Sequence, residues 1–515
     1  MHADSPTAPS STHVKVLIFS TFIAGLCSIV YELLIATTGS YFLGDSIRQF
    51  SLVIGFYMAF MGVGSYLSRL IPDRLLLQAF VLFEILLGLA GGLSVPLLYF
   101  SFAYLEFFQG ALLLATSLVG VLIGLEIPLL SRLMSHNFPL KDNISNILSL
   151  DYLGALIATL LFPFLLLPWM GVFKTSLIFG LINMSIGFTI IYFFADTLKT
   201  TLKRVLFFYS VTALSLLVLT FVFSKSLLAV WTQELYKDRV VFAKETPYQQ
   251  VVITKYKEDV RLFLNGNLQF SAIDEYRYHE ALVHIPMLGK DYKRVLVLGG
   301  GDGLAVRELL KYPALEAMTL VDLDPTITEL AKTNPHLVKA NQNALASDKL
   351  TIIHQDAFVF LRENTELFDL VIIDLPDPNN TSLARLYSRE FYWSIYAKLA
   401  PSGRMVTQAT SPYYANDAFW SIAASIRSAG FKTVMPYHVN IPSFGEWGFV
   451  MANKEDDQLI VNDLPDFLQT RYLDKHNIER AFVFGKDLQA QNQAPSTLDS
   501  PKVLDYYLTS WKYWR

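Results

Sequence analysis

The sequence predicts a bundle of about seven transmembrane helices, followed by a small β-unit and a doubly wound, Rossmann-like α/β domain. Three observations lead to this fold class. The 515 residues are 53% hydrophobic, the apolar excess lies before about residue 225, and strands alternate with helices in the C-terminal half. Such a composition is too apolar for an ordinary soluble protein. The predicted domains are 1–226, 227–285 and 286–515.

Seven apolar runs in the N-terminal half are long enough to cross a bilayer, taking about 20 residues as one span. The first run is too long for a signal peptide and further spans follow it, so it is also predicted to be a helix. The runs are 15–36, 48–70, 76–100, 104–129, 148–170, 172–194 and 205–225.

Lysine and arginine are unevenly distributed among the loops between these runs. The loop after the second run carries Arg69 and Arg74 and the loop after the fourth carries Arg132 and Lys141, whereas the loop after the third carries neither residue type. Positively charged loops stay on the cytoplasmic side, so the N-terminus is predicted to lie inside. An odd number of spans then places the C-terminal domain outside.

Four acidic residues fall within or near the apolar runs: Glu32, Glu84, Glu126 and Asp151. Burying a charge in hydrocarbon is costly, so such residues face the bundle interior or a water-filled cavity. They form either a pathway for cations or a set of carboxyl groups that hold helices together. The stretches "MGVGSYLSRL" and "GLAGGL" provide small residues for close helix contact.

The overall charge and the cysteine content exclude several classes of function. A net charge of −4 provides no basic field for nucleic acid. The single cysteine, Cys27, excludes an intramolecular disulfide and a cysteine cluster for metal. Because it lies in an apolar run, Cys27 is predicted to be a small buried hydrophobic residue.

The pattern after the apolar half changes from helices to strands. Residues 224–245 are predicted to be a transitional segment along the membrane interface, and Asn265-Gly266 marks a hairpin turn in the β-unit. The α/β domain is predicted to contain a glycine loop and a helix after its first strand, with the ligand at the carboxyl ends of the strands. Its first four strands are predicted over Val295–Leu298, Met318–Leu323, Leu350–His354 and Leu370–Asp374.

The glycine loop "GGGDG" follows the first strand of this domain. Its glycines allow a tight turn and close approach to a ligand before a helix begins. The spacing does not match a dinucleotide fingerprint, because Leu304 and Val306 occupy the positions where glycine or alanine is needed. The carboxylate of Asp302 in this loop would repel a diphosphate and attract an amine.

Acidic residues also follow the next three strands. Asp322 is placed to accept hydrogen bonds from ribose hydroxyls, and Asp356 to hold an adenine amino group, which together indicate a nucleoside site of the S-adenosylmethionine type in a methyltransferase-type fold. Asp374 and Asp377, in "IIDLPDP", could bind a cationic amine and remove its proton. Taken singly, each residue could equally be a strand-end cap or a solvated turn residue.

These stretches, taken in order along the chain, resemble the motifs of spermidine synthases, the polyamine aminopropyltransferase family. The matching stretches are "PYQQVVI", "LNGNLQFSAIDEYRYHEALVHIPML", "VLVLGGGDG", "VDLD", "HQDAF" and "IIDLPDP", and the match covers about Pro247 to Asn453. The apolar half resembles the multi-span, membrane-bound branch of the family in its architecture and in "VYELL".

The resemblance implies a binding site for decarboxylated S-adenosylmethionine, which is a co-substrate, and for its product methylthioadenosine. Gln249 and Asp322 would contact the nucleoside and its ribose. Asp356 and the backbone of Ala357 would hold the adenine, while Asp302 would bind the aminopropyl amine.

The resemblance also implies roles on the acceptor side, with putrescine as the acceptor and spermidine as the product. Tyr278 and His279 would line the junction of the two substrates, Asp374 would be the base, and Asp377 and Asp302 would help to bind amine. No cofactor and no metal are implied, because the sulfonium is already a good leaving group.

The amine half departs from the family pattern. "NNTSLARLYSREFY" follows "DLPDP" where many members have a different gate sequence, Phe444 stands where many have tyrosine, and Ala357 replaces a common glycine. Another di- or polyamine acceptor therefore stays open.

Two other functions also stay open, an S-adenosylmethionine-dependent methyltransferase and a membrane polyamine transporter or sensor. Asp302 and the "DLPDP" acids argue against the methyltransferase. The resemblance further implies a multi-pass cell-membrane protein and a homodimer through the soluble domain, and a cytoplasmic substrate conflicts with the outside location that the loop charges predict.

Overall fold

Long apolar helices make up the first of two units into which the chain divides, Met1–Lys237 and Asp238–Arg515. The computed structural model describes residues 11–43, 46–105, 107–135, 138–195, 200–456, 463–490, 492–512 and 514. In the first unit they form α1 (Ser11–Leu43), α2 (Ser46–Leu67), α3 (Leu76–Tyr104), α4 (Phe108–Met134), α5 (Leu140–Leu161), α6 (Leu167–Phe193), α7 (Thr200–Val222) and α8 (Ser224–Glu234). Residue 106, inside the predicted span 104–129, lies outside the described residues.

Among the described residues, six helical runs are long and apolar enough to cross a membrane, by length and composition. The predicted number is seven, and it differs because 148–170 and 172–194 lie in one run, Lys141–Phe193, of 53 residues. A straight helix of that length would extend about 80 Å, more than twice the thickness of a bilayer core. Gly171, between the two predicted spans, is non-helical, with φ 67° and ψ 176°. The run therefore consists of two helices joined at a break.

Glycines bring pairs of these helices into backbone contact. A Cβ atom at Gly64 of α2 would lie 2.1 Å from the carbonyl oxygen of Val121 in α4. A Cβ atom at Gly88 of α3 would lie 2.9 Å from the carbonyl oxygen of Gly180 in α6. Both glycines belong to the stretches predicted to supply close helix contact, and that prediction is confirmed. Cys27 in α1 is fully buried, as predicted.

The boundary between the units differs from the predicted one at 226. The first unit continues to Lys237, because α8 packs against α3 and α7. The prediction of an interfacial segment over 224–245 is wrong for its last part, since Arg239–Glu245 forms a strand that pairs antiparallel with the next strand. The β-prone residues Val240 to Phe242 of this strand pair with the following strand, and that pairing depends on the tertiary structure.

Four antiparallel strands open the second unit. They are β1 (Arg239–Glu245), β2 (Gln250–Tyr256), β3 (Asp259–Leu264) and β4 (Asn267–Ser271), and they pair in that order. Asn265 (φ 49°) and Gly266 (φ 77°) form the predicted turn between β3 and β4. Two consecutive positive φ angles are what a two-residue hairpin turn of this kind requires.

A seven-stranded sheet forms the centre of the second unit. Its strands are β5 (Arg294–Gly299), β6 (Ala317–Asp322), β7 (Leu350–His354), β8 (Phe368–Asp374), β9 (Leu399–Gln408), β10 (Thr433–Ile441) and β11 (Gly445–Asn453). The spatial order is β10-β11-β9-β8-β5-β6-β7. Neighbouring strands from β5 to β9 are parallel, and β11 is antiparallel to β9 and β10. The chain reverses direction across the sheet at β5 and β8, the position at which such sheets bind ligands.

Helices cover both faces of this sheet. They are α9 (Glu275–Met287), α10 (Leu304–Leu309), α11 (Pro325–Thr333), α12 (Pro335–Asn341), α13 (Ala357–Glu363), α14 (Thr381–Ala384), α15 (Arg389–Lys398), α16 (Asn416–Ser428), α17 (Lys475–Ala481) and α18 (Lys502–Trp511). Along β5, Val295 and Val297 belong to one hydrophobic core and Leu296 and Leu298 to the other. This alternation confirms the doubly wound sheet. The predicted boundary at 285 falls inside α9, which joins the β-unit to the sheet.

Candidate active site

A cavity of about 550 Å³ lies at the carboxyl ends of the central parallel strands. It is lined by β3 and β4 of the small sheet, by the glycine loop and by residues of α18. All of the predicted site residues line it, namely Gln249, Tyr278, His279, Asp302, Asp322, Asp356, Ala357, Asp374 and Asp377. The structure therefore brings together in one cavity side chains that the sequence separates by more than a hundred residues.

The glycine loop passes between two of the predicted acids. A Cβ atom at Gly299, where φ is 79°, would lie 2.1 Å from the carbonyl oxygen of Asp374. The amide of Gly301 donates a hydrogen bond to Oδ2 of Asp322 at 3.1 Å. Only glycine allows the backbone this conformation and this approach, so the loop holds Asp322 and Asp374 on its two sides.

Asp322 and Gln249 form the wall predicted to face a ribose. The other carboxylate oxygen of Asp322 accepts a hydrogen bond from the amide of Asp324 at 2.9 Å, and burial raises its pKa to about 6. Gln249 Nε2 donates to Asp324 Oδ2 at 3.2 Å. Asp324 was not among the predicted residues. It caps α11 and orients the side chain of Gln249.

Both carboxylate oxygens of Asp356 have partners within the chain. One oxygen caps α13 by accepting from the amides of Phe358 and Val359, at 3.0 and 3.1 Å. The other oxygen pairs with the guanidinium of Arg385. An adenine amino group would therefore have to displace Arg385, whose side chain is 42% exposed. The cap and the predicted adenine contact are compatible, because they use different oxygens.

Asp302 and His279 both line the cavity and interact electrostatically. Burial raises the pKa of Asp302 to about 6, against the opposing charge of His279. Burial lowers the pKa of His279, but its hydrogen bond to Glu275 and the charges of Glu275, Asp302 and Asp374 outweigh that effect and raise it. His279 Nδ1 lies 2.8 Å from Glu275 Oε2. The neighbouring acids thus favour the cationic form of the imidazole.

Asp374 lines the cavity beside Tyr278. The hydroxyl of Tyr278 donates a hydrogen bond to Oδ1 of Asp374 at 2.5 Å. Burial raises the pKa of this carboxyl group, while His279 and the Tyr278 hydrogen bond act in the opposite direction. A buried carboxylate with a raised pKa and one oriented oxygen is suited to accept a proton near neutral pH.

Asp377 is held by side chains from distant parts of the chain. Gln408 Nε2 and Thr410 Oγ1 donate to its two oxygens at 3.3 and 3.2 Å. Burial raises its pKa to about 6, against hydrogen bonds from Tyr507, Gln408 and Thr410. Trp511, one turn beyond Tyr507 on α18, also lines the cavity. These partners were not predicted, although the aromatic-rich "YYLTSWKYW" is a signal that the C-terminal helix buries one face.

Glu275 belongs to a buried ionic network beneath the cavity. Arg307 binds both of its carboxylate oxygens, at 2.8 and 2.9 Å, and also contacts Glu308 at 2.9 Å. Burial by itself would raise the pKa of Glu275, but His279 and Arg307 hold it below its usual value. Arg307 therefore orients the carboxylate of Glu275, and that carboxylate in turn orients the imidazole of His279. In the sequence, the only sign of this network is the spacing of Glu275 and His279 by one helical turn, which brings their side chains together.

The charge of His279 acts on Asp302 and Asp374, and Arg385 pairs with Asp356, but four acids of the cavity have no lysine or arginine partner in the described part of the chain. Among the described residues, none of Asp302, Asp322, Asp374 and Asp377 forms an ion pair with lysine or arginine. Buried carboxylates without partners are costly unless they neutralise or bind a cation. The cavity is therefore suited to a cationic ligand that carries several N–H donors.

Comparison with known proteins identifies the family. A family model described as a spermine/spermidine synthase domain matches residues 275–463. A polyamine aminopropyltransferase of Leptospira interrogans is 42% identical over 503 residues, covering 98% of this chain and 99% of that protein. The chain belongs to the spermine/spermidine synthase family.

Similarity within the spermine/spermidine synthase family includes the helical unit. Polyamine aminopropyltransferase 1 of Ralstonia nicotianae is 39% identical over 521 residues, covering 99% of this chain and 97% of that protein. A crystal structure of spermidine synthase in complex with the transition-state analogue AdoDATO aligns with a TM-score of 0.46 and 26% identity, covering 48% of this chain and 88% of that one. The full-length relatives thus extend beyond Pro247 to Asn453, the range of the motif resemblance.

Proposed function

We propose that the protein transfers the aminopropyl group of decarboxylated S-adenosylmethionine to putrescine, giving spermidine and methylthioadenosine. The observation that carries this proposal is the Tyr278–Asp374 pair in a cavity that is also lined by Asp302, Asp322, Asp356 and Asp377. We divide this cavity into a nucleoside half and an amine half. In the nucleoside half, Asp322 would bind the ribose and Asp356 with Ala357 the adenine. In the other half, Asp302 would bind the amine of the donor and Asp377 that of the acceptor.

Each proposed step conserves atoms and charge. Asp374 takes a proton from the acceptor ammonium, the freed nitrogen lone pair attacks the propyl carbon, and the carbon–sulfur bond breaks. The electron pair of that bond leaves with sulfur as methylthioadenosine. Catalysis is then proton removal plus alignment of the two substrates, with no cofactor.

The direct test is product release by the full chain in detergent. With decarboxylated S-adenosylmethionine and putrescine, we expect methylthioadenosine and spermidine in equal amounts. Release of S-adenosylhomocysteine from ordinary S-adenosylmethionine instead would favour a methyltransferase. Binding of amine with neither product would favour the transporter or sensor. Longer amines as acceptors test whether putrescine is the preferred one.

Asp302 is expected to select the decarboxylated donor. In Asp302→Asn, kcat/KM for this donor should fall about a hundredfold, because a buried charge pair to the donor ammonium is lost. Discrimination against ordinary S-adenosylmethionine should fall too, since its carboxylate would no longer meet a negative charge. Steady-state kinetics with both donors measures the effect. Asp348→Asn, on the surface, is the matched control, and unchanged discrimination in Asp302→Asn would contradict the role.

The rate is expected to decrease as pH is lowered through about 6. Burial raises the pKa of Asp302 and Asp377 to about 6 and also raises that of Asp374, and a protonated Asp374 cannot accept the proton of the amine.

The contribution of these carboxyl groups to the stability of the substrate-free chain should change with pH in the opposite direction. Carboxyl groups in the unfolded chain have a pKa of about 4, so the stabilising effect of protonation is fully present below that pH and lost as pH rises through 6.

Profiles of kcat/KM and of the thermal unfolding midpoint against pH test both trends. Bound cationic substrates favour the ionised carboxylates, so the decrease in kcat should lie at lower pH than the decrease in kcat/KM. Because Glu275 has a lowered pKa and contributes with the opposite sign, the midpoint profile is compared with that of Asp302→Asn/Asp377→Asn. A kcat/KM that is constant down to pH 4.5, or the same midpoint profile in the native chain and in that variant, would contradict the assignment.

The helical unit is proposed to anchor the enzyme in the cell membrane as a multi-pass domain. Its six apolar runs support this by length and composition. We expect the full chain to sediment with membranes, to resist extraction at alkaline pH and to dissolve only in detergent. Recovery in the soluble fraction after cell breakage would contradict it. The homodimer through the second unit stays a prediction.

A further inference from the structure

The helical unit contains a buried polar cluster to which the aminopropyl-transfer reaction assigns no role. Four helices contribute one residue each: Tyr31 from α1, Glu84 from α3, Glu126 from α4 and Asn183 from α6. Glu126 is 3% exposed and the other three are fully buried. None of them lines the catalytic cavity. A polar group buried at this cost calls for a partner.

The contacts within the cluster account for only part of its hydrogen-bonding capacity. Asn183 Nδ2 donates to Glu84 Oε2 at 2.7 Å, and the carboxyl groups of Glu84 and Glu126 are close enough to interact. Two buried carboxyl groups this close do not both stay ionised, so the pair carries at most one negative charge. No described lysine, arginine or histidine forms an ion pair with either residue.

Four oxygen atoms of the cluster have no hydrogen-bond partner among the described residues. They are Tyr31 Oη, Glu84 Oε1, Glu126 Oε1 and Asn183 Oδ1. The Tyr31 hydroxyl is close enough to both glutamates to interact with them electrostatically, and its ring packs on Gly91, two helical turns from Glu84 on α3. The tyrosine thus adds near the acid pair a buried hydroxyl that has no hydrogen-bond partner among the described residues.

The chemistry of these atoms specifies the ligand. All four can accept hydrogen bonds, and three of them can only accept unless a carboxyl group is protonated. The acid pair excludes an anion. A metal ion is not favoured either, because no group of three or more potential metal ligands is found in the described part of the chain. A primary ammonium group supplies one positive charge and three N–H donors, which match one charge and several free acceptors.

We propose that the Tyr31–Glu84–Glu126–Asn183 cluster is a second amine-binding site, which takes the ammonium group of a primary alkylamine inside the helical unit. It is separate in sequence and in lining residues from the proposed catalytic site. The protein would thereby bind amine in both units, and the site in the helical unit would do so without chemical conversion.

Equilibrium dialysis of radiolabelled putrescine against the full chain in detergent tests the site. The parent is Asp374→Asn/Asp377→Asn, which removes two carboxylates of the catalytic cavity. The parent should retain saturable putrescine binding, and adding Glu126→Gln should weaken that binding about a hundredfold. Tetramethylammonium, which has no N–H donor, should not compete. Absence of saturable binding in the parent, or equal competition by tetramethylammonium, would overturn the proposal.

Tyr31→Phe keeps the test informative if Glu126→Gln fails to fold. The hydroxyl it removes has no hydrogen-bond partner among the described residues, so a purely structural tyrosine would tolerate the change and leave putrescine binding unaltered. The proposed site predicts binding weaker by about fivefold. Asp142→Asn, an exposed acid of α5, is the control that should change nothing. Methylthioadenosine release by Tyr31→Phe in the otherwise native chain should persist, which separates failure of this site from failure of the catalytic proposal.

Discussion

Asp374→Asn is expected to reduce kcat about a thousandfold, within the range that loss of a general base produces. Asparagine keeps the size of the side chain and can still accept the hydrogen bond that Tyr278 donates at 2.5 Å. The substitution therefore removes the proton acceptor with little change in geometry. The release of methylthioadenosine under saturating donor and putrescine measures the effect, and the affinity for methylthioadenosine should change little.

Asp377→Asn is the comparison that separates catalysis from amine binding. Its oxygens are held by Gln408 and Thr410 rather than directed at Asp374. We expect a higher KM for putrescine with a much smaller decrease in kcat. A normal kcat in Asp374→Asn, or an equal decrease in both variants, would assign the proton transfer to another group.

Arg307→Met is expected to destabilise the second unit by about 3 kcal/mol, because it removes the guanidinium that joins two buried carboxylates. Glu275 then keeps only His279 as a partner, and Glu308 keeps Lys311 and His284. Arg307 is 8% exposed, and the side chains of Glu275 and Glu308 are 5% and 2% exposed. The thermal unfolding midpoint of the full chain should fall by about 10 °C. Activity should also fall at temperatures where the variant is folded, since Glu275, no longer held by Arg307, then orients His279 less well.

Arg389→Met is the matched control for that experiment. Arg389 pairs with Glu390 at 2.7 Å, but its side chain is 48% exposed, and surface pairs of this kind contribute about 1 kcal/mol or less. An unfolding midpoint that changes equally in both variants would contradict the importance of the buried network. Arg307→Lys should be intermediate, because lysine keeps the charge and loses the bidentate contact.

The central sheet and the acids at its carboxyl edge could be predicted from the sequence. β5, β6, β7 and β8 lie within two residues of their predicted bounds. The central strands β5 and β8 are almost fully buried and leave continuous apolar runs, whereas the edge strand β7 was placed by the alternation of strands with helices. Consecutive parallel strands end at one edge of a sheet, so an acid after each strand is brought to one place. This rule alone located Asp302, Asp322, Asp356 and Asp374.

The residues that orient these acids could not be predicted, since they come from elements that only the tertiary structure places nearby. Tyr507 reaches Asp377 from a helix that follows it by more than a hundred positions. Arg307 lies in α10, every residue of which is buried. Glu308 is its neighbour in the sequence, but nothing in the sequence indicates that Glu275, 32 positions earlier, is its second partner. The break at Gly171, by contrast, coincides with the predicted boundary between the apolar runs 148–170 and 172–194.

The burial of Cys27 has a practical consequence for mapping the chain's orientation. It is the only cysteine in the sequence and it is 0% exposed, so the native protein offers no accessible thiol. A cysteine introduced at exposed Asp142 or Asp348 would then be the sole target of a membrane-impermeant maleimide. Comparing the labelling of intact and of broken cells would show on which side of the membrane each introduced cysteine lies. Whether the two positions lie on the same side or on opposite sides would then decide whether the break at Gly171 separates two crossings.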